Sequence, residues 1–244
     1  MKCLIIAAGK GSRLQLRGES KPLIPLFGVP LIERVIGTAK QAGANDFYVV
    51  TGFRAHLLEP FLKDLSDRLS VPIKTLHNPD WNQENGLSVL AGRDHLKEAF
   101  LLLMADHIFD PKTAKKLIEN PPPDGEISLA VDRNLDSENI NPADVTRVKL
   151  REGKIADIGK GISDFDGYDT GVFVCTPVIF DAIEESAGEK GDSSLSGAVR
   201  ILADSGKANA IDFYGEFWVD VDDPDAIRKA ENALLENMGI GFNA

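Results

Sequence analysis

The sequence predicts an α/β fold in one domain spanning 1–244, with a mostly parallel mixed sheet, helices on both faces and a β-hairpin insertion at 132–165. Three observations predict it. Apolar runs of strand length alternate with amphipathic segments of helical period along most of the chain, the pattern of a helix-covered parallel sheet. The first run, KCLII at 2–6, opens directly into a loop with two glycines, and in open α/β sheets ligands bind at that edge. Between 132 and 165 the periodicity changes, and TRVKLREGKIADIGKGI within it alternates apolar and polar residues, which reads as an antiparallel hairpin.

Each element follows from its own residues. KCLII is apolar at all but its first position, as a strand covered on both faces must be. PLIERVIGTAKQAGA at 30–44 has helical spacing and a glycine stop, and DFYVVTGF then makes a second strand running into Gly52. AHLLEPFLKDLSDRL reads as helix, VPIKTLHN as strand, NGLSVLAGRDHLK as helix and AFLLLMAD as a buried strand with an aspartate at its exit. Asp110 as N-cap and Pro111 at the first helical position start a helix that PPPDGE ends, before the strand EISLAV. TRVKLREGKIADIGKGI alternates apolar and polar residues around Glu152-Gly153 and forms the hairpin, so 132–165 can wall one side of a pocket. YDTGVFVCTP is a strand, PVIFDAIEES and SLSGAVRILADSG are helices, and ANAIDF and EFWVDV are strands. A last amphipathic helix starts from Asp223 and Pro224.

Composition excludes several functions. The formal net charge is -11, so a general nucleic-acid footprint, which needs a basic face, is not expected. Any anion must be gripped locally. Cys3 and Cys175 both lie in apolar strand-like runs without metal-ligand spacing, as buried reduced thiols do. No signal peptide precedes the first strand, and runs such as LLLMA at 101–105 are too short to span a bilayer, so a cytoplasmic protein with no membrane segment is expected.

The opening loop, IAAGKGSRL at 6–14, is built for an anion: Gly9 and Gly11 let backbone N–H groups turn toward a phosphate, and Lys10 and Arg13 add charge. It is not a dinucleotide fingerprint, because Leu14 stands where the third glycine belongs, and the P-loop pattern is missing. What remains is A-A-G-x-G-x-R-L followed by Lys21-Pro22-Leu23, which resembles the signature of the nucleotidyltransferase superfamily, enzymes that join a nucleoside monophosphate to a phosphorylated small molecule. The resemblance covers nearly the whole chain and implies a Rossmann-like nucleotidyltransferase fold. Within that superfamily the A-D-H step, N-G-L-S, I-G-K-G and W-x-D-V-D-D-P together look most like the sugar-phosphate-type CTP:inositol-1-phosphate cytidylyltransferases, which make CDP-inositol.

The resemblance also implies roles. Ala7, Ala8, Gly9 and Gly11 would wrap the triphosphate of CTP, while Arg13 and Lys21 would neutralise charge as pyrophosphate leaves. Asp106 leaves the fourth strand on the same sheet edge, and the family places a magnesium ligand there. Asp220 and Asp222 lie two apart and face one way in extended chain; the resemblance puts the second metal acid here without deciding between them. His107 would be a hydrogen-bonding neighbour of the Mg2+ ligands. In N-G-x-S, Gly86 and Ser88 are candidates for touching the nucleotide base, and Asn85 equally reads as a helix start. Lys160, ending the hairpin, resembles the lysine that holds the acceptor phosphate; Asp169 would accept hydrogen bonds from polyol hydroxyls, with Gly171 in an open wall beside it.

The expected substrates are therefore CTP and inositol 1-phosphate. In some relatives the domain is fused to a membrane-embedded CDP-alcohol phosphotransferase, so a separate downstream partner is expected. Sugar-1-phosphate and choline-phosphate nucleotidyltransferases share most of the motifs, but an aromatic cage for choline fits poorly with 7% aromatic residues. A nucleotide-binding regulatory module without chemistry would be expected to lose metal acids and phosphate-binding lysines, and here Asp106, Asp220, Asp222, Lys21 and Lys160 all stand.

Overall fold

The computed structural model describes residues 1–11, 13–14, 20–137 and 140–237. Its first half is the expected alternation. Strand β1 (Lys2–Ile6) leads past two short strands, β2 (Pro25–Leu26) and β3 (Val29–Pro30), into helix α1 (Leu31–Ala42). Gly43 ends that helix in the left-handed conformation at φ 113°, donating to the carbonyls of Ala39 and Lys40. Then follow β4 (Asp46–Thr51), α2 (Ala55–Leu69), β5 (Ile73–His77), α3 (Gly86–Leu90) and β6 (Phe100–Met104). The chain continues through β7 (His107–Phe109), α4 (Pro111–Glu119) and β8 (Ile127–Asp132), where the Asp110 carboxylate caps α4 by accepting from the Lys112 amide at 2.8 Å. The hairpin is β9 (Arg147–Arg151) and β10 (Lys154–Gly159); after it come β11 (Gly167–Cys175), α5 (Val178–Lys190), α6 (Leu195–Asp204), β12 (Ala208–Asp212), β13 (Trp218–Asp220) and α7 (Pro224–Asn237).

Nine strands form one sheet in the order β5-β4-β1-β6-β11-β8-β12-β10-β9. The pairs β5-β4, β4-β1, β1-β6 and β8-β12 are parallel, and only β11 and β10 run against the rest. This is the mostly parallel mixed sheet that the sequence predicts. The hairpin turns at Glu152 and Gly153, both with positive φ (52° and 77°), which matches the twist of the two strands. Its outer strand β9 comes back to Gly167 and Tyr168 of β11, so the sheet curls on itself beside the carboxyl end of β6.

Alternation along the strands divides the core in two. Cys3, Ile5, Phe47, Val49, Leu101 and Leu103 face one side, with Val35 and Ile36 of α1, Leu62 of α2, Leu117 of α4 and Ala230 of α7. Leu4, Tyr48, Val50, Phe100 and Leu102 face the other, with Val89 of α3, Phe180 and Ile183 of α5 and Leu202 of α6. Helices therefore cover both faces, and β1 from Cys3 to Ile5 and β6 from Phe100 to Leu103 are buried.

One helix is shorter than its sequence predicts. NGLSVLAGRDHLK is helical only over Gly86–Leu90 and then continues as turns. Beyond it the amides of Arg93 and His95 reach back to Leu90 and Gly92, three residues rather than four, and Leu4 and Leu96 pack where a Cβ on Gly92 would lie. A second difference matters more for the site. Residues 107–109, just past the aspartate at the strand's exit, form β7, which pairs antiparallel with β13 in the register Asp220 to His107, Val219 to Ile108 and Trp218 to Phe109.

Trp218 anchors that ribbon. Its indole N–H donates to Asp132 Oδ2 at 2.9 Å, the Asn134 amide donates to Oδ1 at 2.8 Å, and both side chains are buried. Trp218→Phe keeps most of the apolar volume but leaves one buried carboxylate oxygen without its donor, so it is expected to destabilise the protein by about 1–3 kcal/mol. Denaturant unfolding of the two proteins measures this; equal midpoints would show that the bond contributes nothing.

Candidate active site

The site lies where four chain segments leave the sheet on one edge. The opening loop is fixed at its base by the Ala7 amide donating to the Val50 carbonyl and by the Phe53 amide donating to Ala8, each at 2.9 Å. Ala7 and Ala8 are buried, and space beside Gly9 is open. Gly11 has φ 59°, and a Cβ there would come within 2.7 Å of the Lys21 side chain. Glycine thus serves two needs at once, a left-handed turn and room for the lysine stem. The Ser20–Leu23 turn, closed by the Leu23 amide on Ser20 at 2.8 Å, then carries Lys21 across the loop.

Lys21 is only 7% exposed. Its ammonium donates to Asp106 Oδ2 at 2.5 Å and to Asp222 Oδ1. Burial disfavours this charge, but Asp106, Asp222 and Asp220 outweigh it and hold the Lys21 pKa above its ordinary value. Burial likewise opposes ionisation of Asp106, and Lys21 beside it keeps the carboxyl below the usual range. Lys21, Asp106 and Asp222 border a cavity of about 240 Å³ that Ala7, Gly9 and Gly11 also line. The glycine loop, the lysine and the strand-exit aspartate that the sequence singles out are therefore in one place.

Register builds the next layer. Because Asp220 stands opposite His107 and the Val221 amide donates to the Asp106 carbonyl at 2.9 Å, the two strand exits are locked side by side. His107 Nδ1 lies 2.8 Å from the Thr170 carbonyl, to which it can only donate. Gly171, at φ 74°, makes this approach possible, since a Cβ there would collide with the imidazole. Nε2 then faces Asp220 Oδ1 at 3.6 Å and Asp106 Oδ1 at 3.9 Å. Burial works against an imidazolium, yet Asp220 and Asp106 raise the His107 pKa.

Asp106, His107 and Asp220 converge with donor atoms all within 4.8 Å of one another. Asp220 is divided: the side chain is 38% exposed, but Oδ1 is sealed from solvent and has no hydrogen-bond donor among the described residues. Burial pushes its pKa up to about 6. An orphaned carboxylate oxygen beside a second carboxylate and an imidazole nitrogen held in place by a carbonyl is a donor set that fits a divalent cation. Asp222 stands apart from that set, joined instead to Lys21 and, through Oδ2 at 3.2 Å, to Arg13.

A larger cavity of about 400 Å³ begins at Asp220 and Asp222 and extends to the insertion. Lys160 and Asp169, which the sequence reading assigns to the acceptor, both line it. Asp169 accepts from the Gly171 amide at 2.8 Å, and burial raises its pKa to about 6. Gly86 and Ser88 face inward instead: a Cβ on Gly86 would collide with the Ser193 carbonyl, and the buried Ser88 hydroxyl is bonded to Asn78 Nδ2 at 3.0 Å.

Sequence reasoning missed Asp144. Its Oδ2 accepts from Arg13 and its Oδ1 from Lys160 at 2.6 Å, joining the opening loop to the insertion. The Arg13 contact holds its pKa well below the carboxylate range. Nothing in NPADVT marks it, because its partner Arg13 is 131 residues away. Lys229 of α7, which the sequence reading also did not single out, borders the larger cavity too.

Residues 3–200 match the MobA-like NTP transferase domain. The chain belongs to that family. Among MobA-like relatives, the bifunctional IPC transferase and DIPP synthase of Rubrobacter xylanophilus is 32% identical over 95% of this chain and 51% of that protein. The protein of the same description from Aquifex aeolicus is 31% identical over 98% of this chain and 54% of its own length. The chain thus spans about half the length of the curated relatives it matches. The structure of the inositol-1-phosphate CTP transferase from T. maritima superposes with a TM-score of 0.84 over 98% of this chain and 95% of that one, at 24% identity, and so shares the NTP transferase fold. No helix among the described residues is long and apolar enough to cross a membrane.

Asp169 gives the site a pH signature. With a folded pKa near 6 against about 3.9 when unfolded, it binds more protons in the native state between those values, so its contribution to stability falls as pH rises through 6. Asp169→Asn keeps an acceptor for Gly171 and removes the titration. Without divalent cations, the gain in melting temperature on going from pH 7.5 to pH 5.5 should be smaller in the variant than in the wild type; equal gains would show that Asp169 is ionised without penalty.

Proposed function

We propose that this chain is a divalent-cation-dependent cytidylyltransferase that transfers CMP from CTP to inositol 1-phosphate, giving CDP-inositol and pyrophosphate. One observation carries the reading: Lys21 and Arg13 beside the glycine loop are joined through Asp222 and Asp144 to Lys160 on the insertion, so phosphate-binding cations of two cavities meet along one line. Two phosphorylated substrates, one in each cavity, would bring their phosphates together there. The names of the bifunctional relatives and of the T. maritima enzyme support this choice of chemistry.

The reaction needs positioning and charge. Gly9, Gly11 and the buried Ala7–Ala8 backbone receive the triphosphate, with Lys21 and Arg13 against its oxygens. Lys160 holds the acceptor phosphate, whose oxygen attacks the α-phosphorus in line as the bond to the β-phosphate oxygen breaks and pyrophosphate leaves. A phosphate monoester is already largely dianionic at neutral pH, its second pKa being about 6, so no general base is required. Asp106 and Asp220, with His107 Nε2, would hold Mg2+, which would supply positive charge to the leaving pyrophosphate. Lys21 and Arg13 share that task from the protein side.

The acceptor cavity favours a polyol. Asp169 and Asp225 line it and can accept hydrogen bonds from hydroxyl groups, whereas Trp218 is its only indole or phenyl ring among the described residues, too few for a choline cage. On this reading the insertion at 132–165 is the acceptor wall of a single catalytic domain. The product would pass to a CDP-alcohol phosphotransferase in a membrane.

The reading is tested by pyrophosphate release from CTP, Mg2+ and inositol 1-phosphate, with glucose 1-phosphate and choline phosphate in parallel. Inositol 1-phosphate should be turned over fastest, and no pyrophosphate with any acceptor would contradict the reading. Lys160→Ala should lower kcat/KM for the acceptor by roughly 10², for one lost charge-assisted contact of about 3 kcal/mol, while CTP affinity measured by calorimetry does not fall. Loss of CTP affinity with unchanged acceptor kinetics would place Lys160 in the triphosphate site instead.

A further inference from the structure

We propose that Asp144 is a positioning residue that couples the binding of the two substrates, standing as the protein's own anion between Arg13 and Lys160, which line the larger cavity with it, until substrate phosphate displaces it. The inference rests on the cytidylyltransferase reading, which puts triphosphate against Arg13 and acceptor phosphate against Lys160. The carboxylate uses one oxygen for each cation, Oδ2 for Arg13 and Oδ1 for Lys160 at 2.6 Å. It is also the best buried of the three, 21% exposed against 51% for Arg13 and 60% for Lys160.

The backbone that carries Asp144 is braced. The amides of Asp144 and Val145 both donate to the Asn141 carbonyl at 3.1 Å, the Asn141 side chain accepts from the Ala143 amide at 3.1 Å, and Arg147 ties Pro142 to Ile162 through its guanidinium. Displacement is therefore a rotation of the side chain. Carboxylate and phosphate compete for the same donors and repel each other. Because a single carboxyl group makes both contacts, rotating it away from one cation takes it from the other as well. The first phosphate to arrive carries the whole cost, and the second finds its cation cleared. That is positive coupling, and it is reciprocal by thermodynamic necessity.

The test measures binding, not turnover. Calorimetric titration of inositol 1-phosphate, with and without saturating magnesium α,β-methylene-CTP, gives the coupling in a protein that cannot react. In the wild type the analogue should tighten acceptor binding about tenfold, within the usual range of allosteric coupling. In Asp144→Asn each ligand alone should bind about tenfold tighter than to the wild type and the coupling should vanish, whereas Asp144→Glu should keep it. A merely structural role would weaken both ligands and produce no gain in affinity. Coupling that persists in Asp144→Asn, or an Asn variant with no gain for either ligand alone, overturns the proposal. Should the Asn variant fail to fold, Asp144→Ala is titrated by the same criteria. A wild type that does not bind the CTP analogue at all refutes the cytidylyltransferase reading itself, a result distinct from binding without coupling.

Discussion

A single buried ammonium holds the site together. Asp106, Asp220 and Asp222 are brought within reach of one another by strand exits that the fold cannot separate, and three carboxylates so placed repel. Lys21, 85 residues from Asp106 and 201 from Asp222, answers that repulsion from the opening loop. Such a buried charge is tolerable only when fully paired, and removing one partner leaves the others without compensation. The glycine at position 11, the turn at 20–23 and the β7–β13 register all serve to bring this lysine and these acids together.

The pattern extends outward. Lys160, Asp144, Arg13, Asp222, Lys21 and Asp106 alternate in sign along one connected line that ends at His107 and Asp220. On the proposed reading the substrates are polyanions, and a protein of net charge -11 needs such an arrangement to bind them, because its overall field repels them. Each cation that would bind phosphate is held by a carboxylate, and the deepest carboxylates make a pocket for a divalent cation. On the proposed reading phosphate and metal would fit the site as complementary charges, each relieving the constraint that the other would aggravate.

Much of the fold was legible because its signals are local. Continuous apolar strands, the glycine stop at 43, the Asp110-Pro111 start and the Glu152-Gly153 turn each report on their neighbours in the chain. The glycine loop, Lys21, Asp106 and the 220–222 pair were legible as a motif, and the structure brings them to one edge. What was hidden depends on distant pairing. The β7–β13 ribbon is three residues per strand, too short for periodicity to show, and it alone puts His107 opposite Asp220. Asp144 sits in a turn-like sequence and acquires its part only when the insertion folds against the opening loop. The end of α3 at Leu90 is likewise invisible in the helical spacing of NGLSVLAGRDHLK, which continues past it.

The claim that Lys21 balances the carboxylates is tested most directly by the stability of Lys21→Met, a substitution that keeps the stem and deletes the charge. At pH 7.5 without divalent cations the variant should lose about 3–5 kcal/mol in denaturant unfolding, as for the loss of one partner from a buried ion pair, and millimolar Mg2+ should restore more stability to it than to the wild type. A Lys21→Met protein as stable as the wild type and indifferent to Mg2+ would contradict the account.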